Sequence, residues 1–311
     1  MNVDSNFECG NGIVESITDD TVVVHIRPDT NAGFFQWFYF RVSDAPVHPV
    51  TIRIGNASSA TYPQAWDGYD ALASTDDRNW FRVPTTYDGT SLTFQHPAGV
   101  SSVTYAYFVP YVMAQQEALL NATLAAPGVR RLELGNSNEG RSLDGMIIGS
   151  DAGDASKIWV VVRQHAGEPM APYCLEGMIA RLLDSGDAAA RELLGRARFY
   201  IVPNANPDGS VHGNLRANAA GVDLNRVWHN PPENAPEIAS IRAAMEREGS
   251  DFFLDIHGDE TRPFIWLIHA EDVPVTDEVA ALQRRFEDEL AKRNPEVQPR
   301  PRTVAGVRQG D

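Results

Sequence analysis

Apolar positions in the first third of the chain come in short β-branched and aromatic runs. Val22-Val23-Val24-His25-Ile26 is one, and Phe34 to Val42 and Val50 to Ile54 follow, with Pro46 and Pro49 between the last two. Proline cannot donate to a sheet ladder and breaks such runs. Trp80-Phe81-Arg82-Val83, Ser91-Leu92-Thr93-Phe94 and Val103 to Val109 continue the series, with turn signals at Asp88-Gly89 and His96-Pro97. Short strands at this spacing predict an antiparallel β-sandwich over residues 1–112. Residues 113–125, rich in Ala, Gln and Leu, read as a helix that stops near Pro127-Gly128. This makes 113–128 a linker helix.

From about residue 129 the pattern changes to strands alternating with helices. Arg130 to Leu134 and Asp144 to Ile148 read as paired strands across the polar turn Asn136 to Gly140. Lys157 to Val162 is almost continuously apolar, as a strand buried on both faces would be. Pro169 suits the first turn of a helix. Leu175, Met178, Ile179, Leu182 and Leu183 then follow helical spacing, and Gly186 can end it. Phe199 to Val202, Phe252 to Ile256 and Phe264 to Ile268 read as further strands. Ile238, Ile241 and Met245 mark one helix, and Val279, Leu282, Phe286 and Leu290 mark another over 276–293. The alternation predicts an open, mixed-sheet α/β domain over 129–311.

At 311 residues the chain has room for both parts. No apolar run is long enough to span a membrane, and Met1 to Asn6 lacks the basic and apolar regions of a signal peptide. With only Cys9 and Cys174 present, no disulfide scaffold is indicated, and a cytoplasmic location is expected. The net charge of −16 speaks against nucleic-acid binding.

Candidate chemistry sits at strand ends. His165 and Glu168 follow the strand 157–162, and His257 follows the strand 252–256. A lone His-x-x-Glu is a weak signal in a chain with 8 histidines. Two histidines and one carboxylate from strand ends that can meet are, however, the ligand set of a catalytic zinc site that keeps one position for water. His212, His229 and His269 are the competing histidines, with His229 read as near the site or on the surface. Asp255 is a candidate acceptor for a ligand imidazole. Arg216 is placed to stabilise an oxyanion. Asn225 and Arg226 can hold a substrate carboxylate, the arginine as a bidentate fork. The alternative for Arg226 is an ion pair with Asp223 or Glu233. Together these residues predict a zinc hydrolase that grips a free carboxylate, a carboxypeptidase acting on peptide or protein C-terminal tails.

The same residues resemble zinc carboxypeptidases of the funnelin (M14) type. The likeness is greatest to the cytosolic carboxypeptidase subfamily, which includes tubulin deglutamylases and bacterial relatives. Three segments carry it: His165 and Glu168 with their strand and helix, Asn206 to Arg226, and Leu254-Asp255-Ile256-His257-Gly258. Phe35 to Phe40 and Tyr105 to Tyr111 resemble that subfamily's β-sandwich domain. The resemblance implies zinc on His165, Glu168 and His257, with Arg216, Asn225 and Arg226 in the roles given above. It also implies a general-base glutamate well downstream of the last zinc histidine. That glutamate is expected beyond Asp311, in a C-terminal part outside this sequence, with Glu260 as the local substitute. The subfamily suggests substrates ending in glutamate. Arg262 is the candidate cation for their side chain, unless it simply pairs with Asp259 or Glu260. Two rival readings remain: a zinc amidohydrolase acting on N-acyl amino acids, and a zinc-bearing protein that binds tails without cleaving them.

Overall fold

The computed structural model describes residues 1–262, 264–268 and 275–298. Its first ten strands are β1 (Asn2–Asp4), β2 (Ile13–Ile17), β3 (Thr21–His25), β4 (Tyr39–Ser43), β5 (Val50–Ile54), β6 (Ala71–Ser74), β7 (Phe81–Val83), β8 (Thr85–Tyr87), β9 (Leu92–His96) and β10 (Val103–Ala106). They form two five-stranded sheets, ordered β1-β4-β10-β6-β7 and β2-β3-β5-β9-β8. Val22, Val24, Ile52 and Phe94 of one sheet share a buried core with Phe40, Ala73 and Tyr105 of the other, which makes the pair a sandwich. Within these sheets the one pairing that is not antiparallel is β3 with β5. Strand β4 lies between them in sequence but in the other sheet, and so supplies the crossover that a parallel pair needs.

The strand expected from Phe34 begins only at Tyr39. Before it, the Gln36 side chain pairs with backbone instead. Its Oε1 accepts from Tyr62 N at 2.8 Å and its Nε2 donates to Tyr62 O at 3.1 Å. Trp37 and Phe38 are buried without being part of a ladder.

The second region runs α1 (Met113–Leu124), β11 (Arg130–Asn136), β12 (Ser142–Gly149), β13 (Ser156–Val162), α2 (Met170–Leu182), α3 (Ala188–Arg196), β14 (Ala197–Val202), α4 (Pro207–His212), a 3₁₀ turn at Leu224–Arg226, α5 (Pro236–Glu248) and β15 (Phe252–Ile256). The sheet order is β11-β12-β14-β13-β15. Strand β12 is antiparallel to both neighbours, while β13 is parallel to β14 and β15, so the sheet is mixed. Alternate residues of β13 serve the two faces. Val160 and Val162 pack with Leu120 of α1 and with Leu175 and Ile179 of α2. Trp159 and Val161 pack with Ile241 and Ala244 of α5.

Residues from Asp259 form a separate unit. In it, Thr276 caps α6 (Asp277–Arg293) by accepting from Val279 N. The strand expected over Phe264 to Ile268 is not formed among the described residues, where Ile265 makes one isolated bridge to Val297. An aromatic and β-branched run is not enough when its backbone has no continuous partner. His269 and the tail from residue 299 lie outside the described residues.

Candidate metal centre

Strands β13 and β15 are adjacent and parallel, with Val162 opposite Ile256. The chain therefore leaves both at the same sheet edge, where open α/β sheets bind ligands. Directly after β13, Arg163 takes φ 57, a left-handed conformation that is uncommon for a bulky side chain. Its buried guanidinium holds the turn, donating to Ala166 O at 3.1 Å and to Tyr111 O at 2.8 Å. Two glycines allow the close approaches that follow. A Cβ on Gly167 would lie 2.9 Å from Leu215 O, and one on Gly258 would lie 2.0 Å from Met170 Sδ. The Gly258 N–H, free to approach, donates to Glu168 Oε2 at 2.9 Å.

Three side chains converge at this edge. His165 Nδ1 stands 2.7 Å from Glu168 Oε1, while His257 Nδ1 stands 2.9 Å from Glu168 Oε2 and 3.1 Å from His165 Nδ1. His165 and Glu168 are only 4% and 3% exposed. The outer nitrogens face carboxylates. His165 Nε2 lies 3.2 Å from Asp223 Oδ1, and His257 Nε2 lies 2.8 Å from Asp255 Oδ2. An outer carboxylate places the proton on Nε2 and turns the Nδ1 lone pair inward. Two such lone pairs and a carboxylate oxygen then face one another out of water, which is unfavourable without a cation between them. Their ligand atoms lie within 4.8 Å of one another. The donor set thus fits zinc, with the three protein ligands of a catalytic site.

Electrostatics point the same way. Burial opposes charge on His257, yet hydrogen bonds to Asp255 and Glu168 raise its pKa to about 10. Burial also opposes a charged His165, and Glu168 and Asp223 outweigh it, so its pKa is raised as well. Burial would raise Glu168, but the two imidazoles hold it well below the usual carboxylate range. Asp223 behaves alike, with His165 and Arg216 overcoming burial. The field that holds protons on the imidazoles would equally hold a divalent cation, so the two compete. Zinc affinity is therefore expected to rise with pH from 6 to 8, with net proton release on binding. Titration calorimetry in buffers of different ionisation enthalpy measures this. Binding without proton release would contradict it.

Arg216 joins the cluster through Asp223. Its Nε donates to Asp223 Oδ2 at 2.5 Å and its Nη1 to the Tyr62 hydroxyl at 3.0 Å. Asp223 also caps the 3₁₀ turn by accepting from Asn225 N at 3.0 Å. The Asn225 amide comes within 3.4 Å of His257 Nε2. Arg226 is exposed, its Nη1 donating to Asn225 O at 3.2 Å. It makes no ion pair among the described residues, because Asp223 is taken by His165 and Arg216. His212 pairs with Glu139 at 2.7 Å, and His229 is exposed.

Three comparisons bear on identity. The model of the cytosolic carboxypeptidase N-terminal domain matches residues 3–108, and that of zinc carboxypeptidase matches residues 117–303. The chain belongs to the zinc carboxypeptidase family. Among solved structures, a metallo-carboxypeptidase from Pseudomonas aeruginosa, in complex with (2-guanidinoethylmercapto)succinic acid, is 40% identical with a TM-score of 0.93, over 99% of this chain and 83% of that one. A metallo-carboxypeptidase from Burkholderia cenocepacia is 39% identical with a TM-score of 0.92, over 96% of this chain and 81% of that one. Mouse cytosolic carboxypeptidase 6 is 30% identical over 84% of this chain and 54% of its own length. Zinc is the cofactor of this family, and the His165, Glu168 and His257 group of this zinc carboxypeptidase is one that could bind it. No described helix is long and apolar enough to cross a membrane.

Sequence reasoning missed three residues that shape this carboxypeptidase's site. Asp223 is visible in the sequence only as an acid near Arg226, yet it bridges His165 and Arg216. Gln164 and Trp228 were not singled out. Gln164 Nε2 donates to Asp255 Oδ2, and Trp228 Nε1 donates to Gln164 Oε1 at 2.7 Å. Together they brace the acid behind His257.

Proposed function

We propose that this carboxypeptidase holds zinc on His165, Glu168 and His257, stabilises the oxyanion with Arg216, and grips the substrate's terminal carboxylate with Asn225 and Arg226. The observation that carries this reading is the Asp223 bridge. One half-buried carboxylate accepts from Arg216 Nε at 2.5 Å and faces His165 Nε2 at 3.2 Å. It fixes a cation beside a metal ligand.

Zinc, when bound, polarises the scissile carbonyl and lowers the pKa of a water. Arg216 then meets the charge that develops on the carbonyl oxygen, in a partly buried setting where such a contact is strong. Arg226, exposed and without an ion pair among the described residues, is available as a fork for the terminal carboxylate. The proton of the attacking water needs a carboxylate to receive it. Glu168 is occupied by both imidazoles, Asp223 by His165 and Arg216, and Asp255 by His257 and Gln164. None of these three carboxylates is assigned as the general base.

The proposed substrates are peptide or protein tails, with glutamate favoured at the C-terminus. An acidic side chain leaving water needs a cation, and Arg262 is the candidate. Within its own unit, Arg262 Nε lies 3.8 Å from Asp259 Oδ2 and its guanidinium stands 4.4 Å from the Trp266 ring centroid. The test compares release of Glu, Lys and Phe from otherwise identical peptides by the wild type and Arg262→Ala. A hydrogen bond to a charged group contributes about 1.5–3 kcal/mol, so Glu is expected to lead by roughly tenfold or more in kcat/KM. An advantage that is missing, or that survives in Arg262→Ala, removes Arg262 from this role.

A further inference from the structure

Arg216 is carried by a segment that the sandwich holds on one side, while the loop of His165 and Glu168 reaches it on the other through Gly167 N, which donates to Leu215 O at 2.7 Å. The Asp29 carboxylate, in the loop between β3 and β4, accepts three consecutive backbone N–H groups. Leu215 N donates to Oδ1 at 2.5 Å, and Arg216 N and Ala217 N donate to Oδ2 at 2.8 Å each. Asp29 is 4% exposed. The Leu215 side chain belongs to the buried core of the sandwich. On either side, Asn11 Nδ2 donates to Gly213 O at 2.9 Å, Thr30 N donates to Asn214 Oδ1 at 3.0 Å, and Asn31 Nδ2 donates to Ala219 O at 2.9 Å. At the far end of the Arg216 side chain stands Tyr62, also from the sandwich, its hydroxyl 3.0 Å from Nη1.

We propose that Asp29 is a positioning residue for Arg216, and that the sandwich thereby forms part of the catalytic machinery. Asp29 fixes the backbone from which the guanidinium projects, and Tyr62 steadies the guanidinium itself. An arginine that must meet charge only in the transition state depends on such placement, since a shift of about 1 Å can cost a hundredfold in rate. Burial raises the Asp29 carboxyl to about 6, against the pull of the three amides, and both of its oxygens serve as acceptors of those amides. An asparagine has the same shape but only one. Its NH₂ group would face a backbone N–H, and the clamp would open.

The inference rests on the oxyanion role of Arg216, and the test separates the two. Zinc content, kcat and KM are measured on a free-acid peptide for the wild type, Asp29→Asn, Tyr62→Phe, Arg216→Ala and the double variants with Arg216→Ala. Asp29→Asn should keep one zinc and lose on the order of tenfold to a hundredfold in kcat, with KM nearly unchanged. In the Arg216→Ala background the same change should cost nothing further. Tyr62→Phe, which removes only a hydroxyl, should show a smaller loss with the same dependence on Arg216, and it decides the matter if Asp29→Asn does not retain zinc. Wild-type kcat in the deciding variant overturns the proposal, as does a loss that persists in full without Arg216. If Arg216→Ala itself turns over like the wild type, the role of Arg216 is what has failed.

Discussion

A Glu168→Ala protein should retain under about a tenth of the wild-type zinc and lose at least about a thousandfold in kcat/KM. Changes to groups behind a metal ligand already cost 10–100-fold in affinity or activity, and this one removes a ligand. Glu168 is the centre of the cluster rather than one corner of it. Its two oxygens reach His165 Nδ1 at 2.7 Å, His257 Nδ1 at 2.9 Å and Gly258 N at 2.9 Å. Without it, two inward lone pairs lose the anion that makes the cavity attractive to a cation. Glu168→Gln should behave almost as badly while preserving shape, because the charge, not the volume, holds the metal. Elemental analysis reads the zinc, and thermal unfolding checks that the fold survives. Full zinc in either variant would remove Glu168 from the ligand set.

Arg216→Ala should lower kcat by about 10²–10³, the usual cost of losing one oxyanion donor, while KM stays within about threefold. Its charge finds its partner mainly in the transition state. Zinc content should not change, because Asp223 keeps its contact with His165 at 3.2 Å. Arg216→Lys should recover only part of the loss. An ammonium is a point charge and cannot span Asp223 and Tyr62 as the planar fork does. Steady-state kinetics on one peptide series distinguishes the alternatives. A raised KM with kcat intact would make Arg216 a carboxylate anchor instead.

Local pattern carried much of the fold. The uninterrupted apolar stretch of β13 announced burial on both faces, and Val160 with Val162 and Trp159 with Val161 do face opposite cores. The convergence of His165, Glu168 and His257 was legible because all three follow strands, and parallel neighbours end at one edge. Asp255 was legible too, two residues from His257 on the same strand. What escaped the sequence is what depends on distant pairing. Helix α3 is Ala-rich and only 9 residues long, so its strongest local sign is the Asp187 cap that accepts from Ala189 N and Ala190 N. The parallel β3–β5 pair depends on β4 leaving for the other sheet. Phe264 to Ile268 has strand composition but makes a single bridge among the described residues. Asp29 lies 187 residues from Arg216, and no spacing rule connects an acid in a sandwich loop to an arginine in a catalytic segment.

The proposed seat of zinc in this chain is two imidazoles and a carboxylate. X-ray absorption at the zinc edge of the purified, zinc-loaded protein tests it most directly. One zinc per chain is expected with only nitrogen and oxygen neighbours at about 2.0–2.2 Å, and with the outer-shell scattering of two imidazole rings that falls to one in His257→Ala. Sulfur at about 2.3 Å, a spectrum without imidazole, or one unchanged in His257→Ala would contradict it.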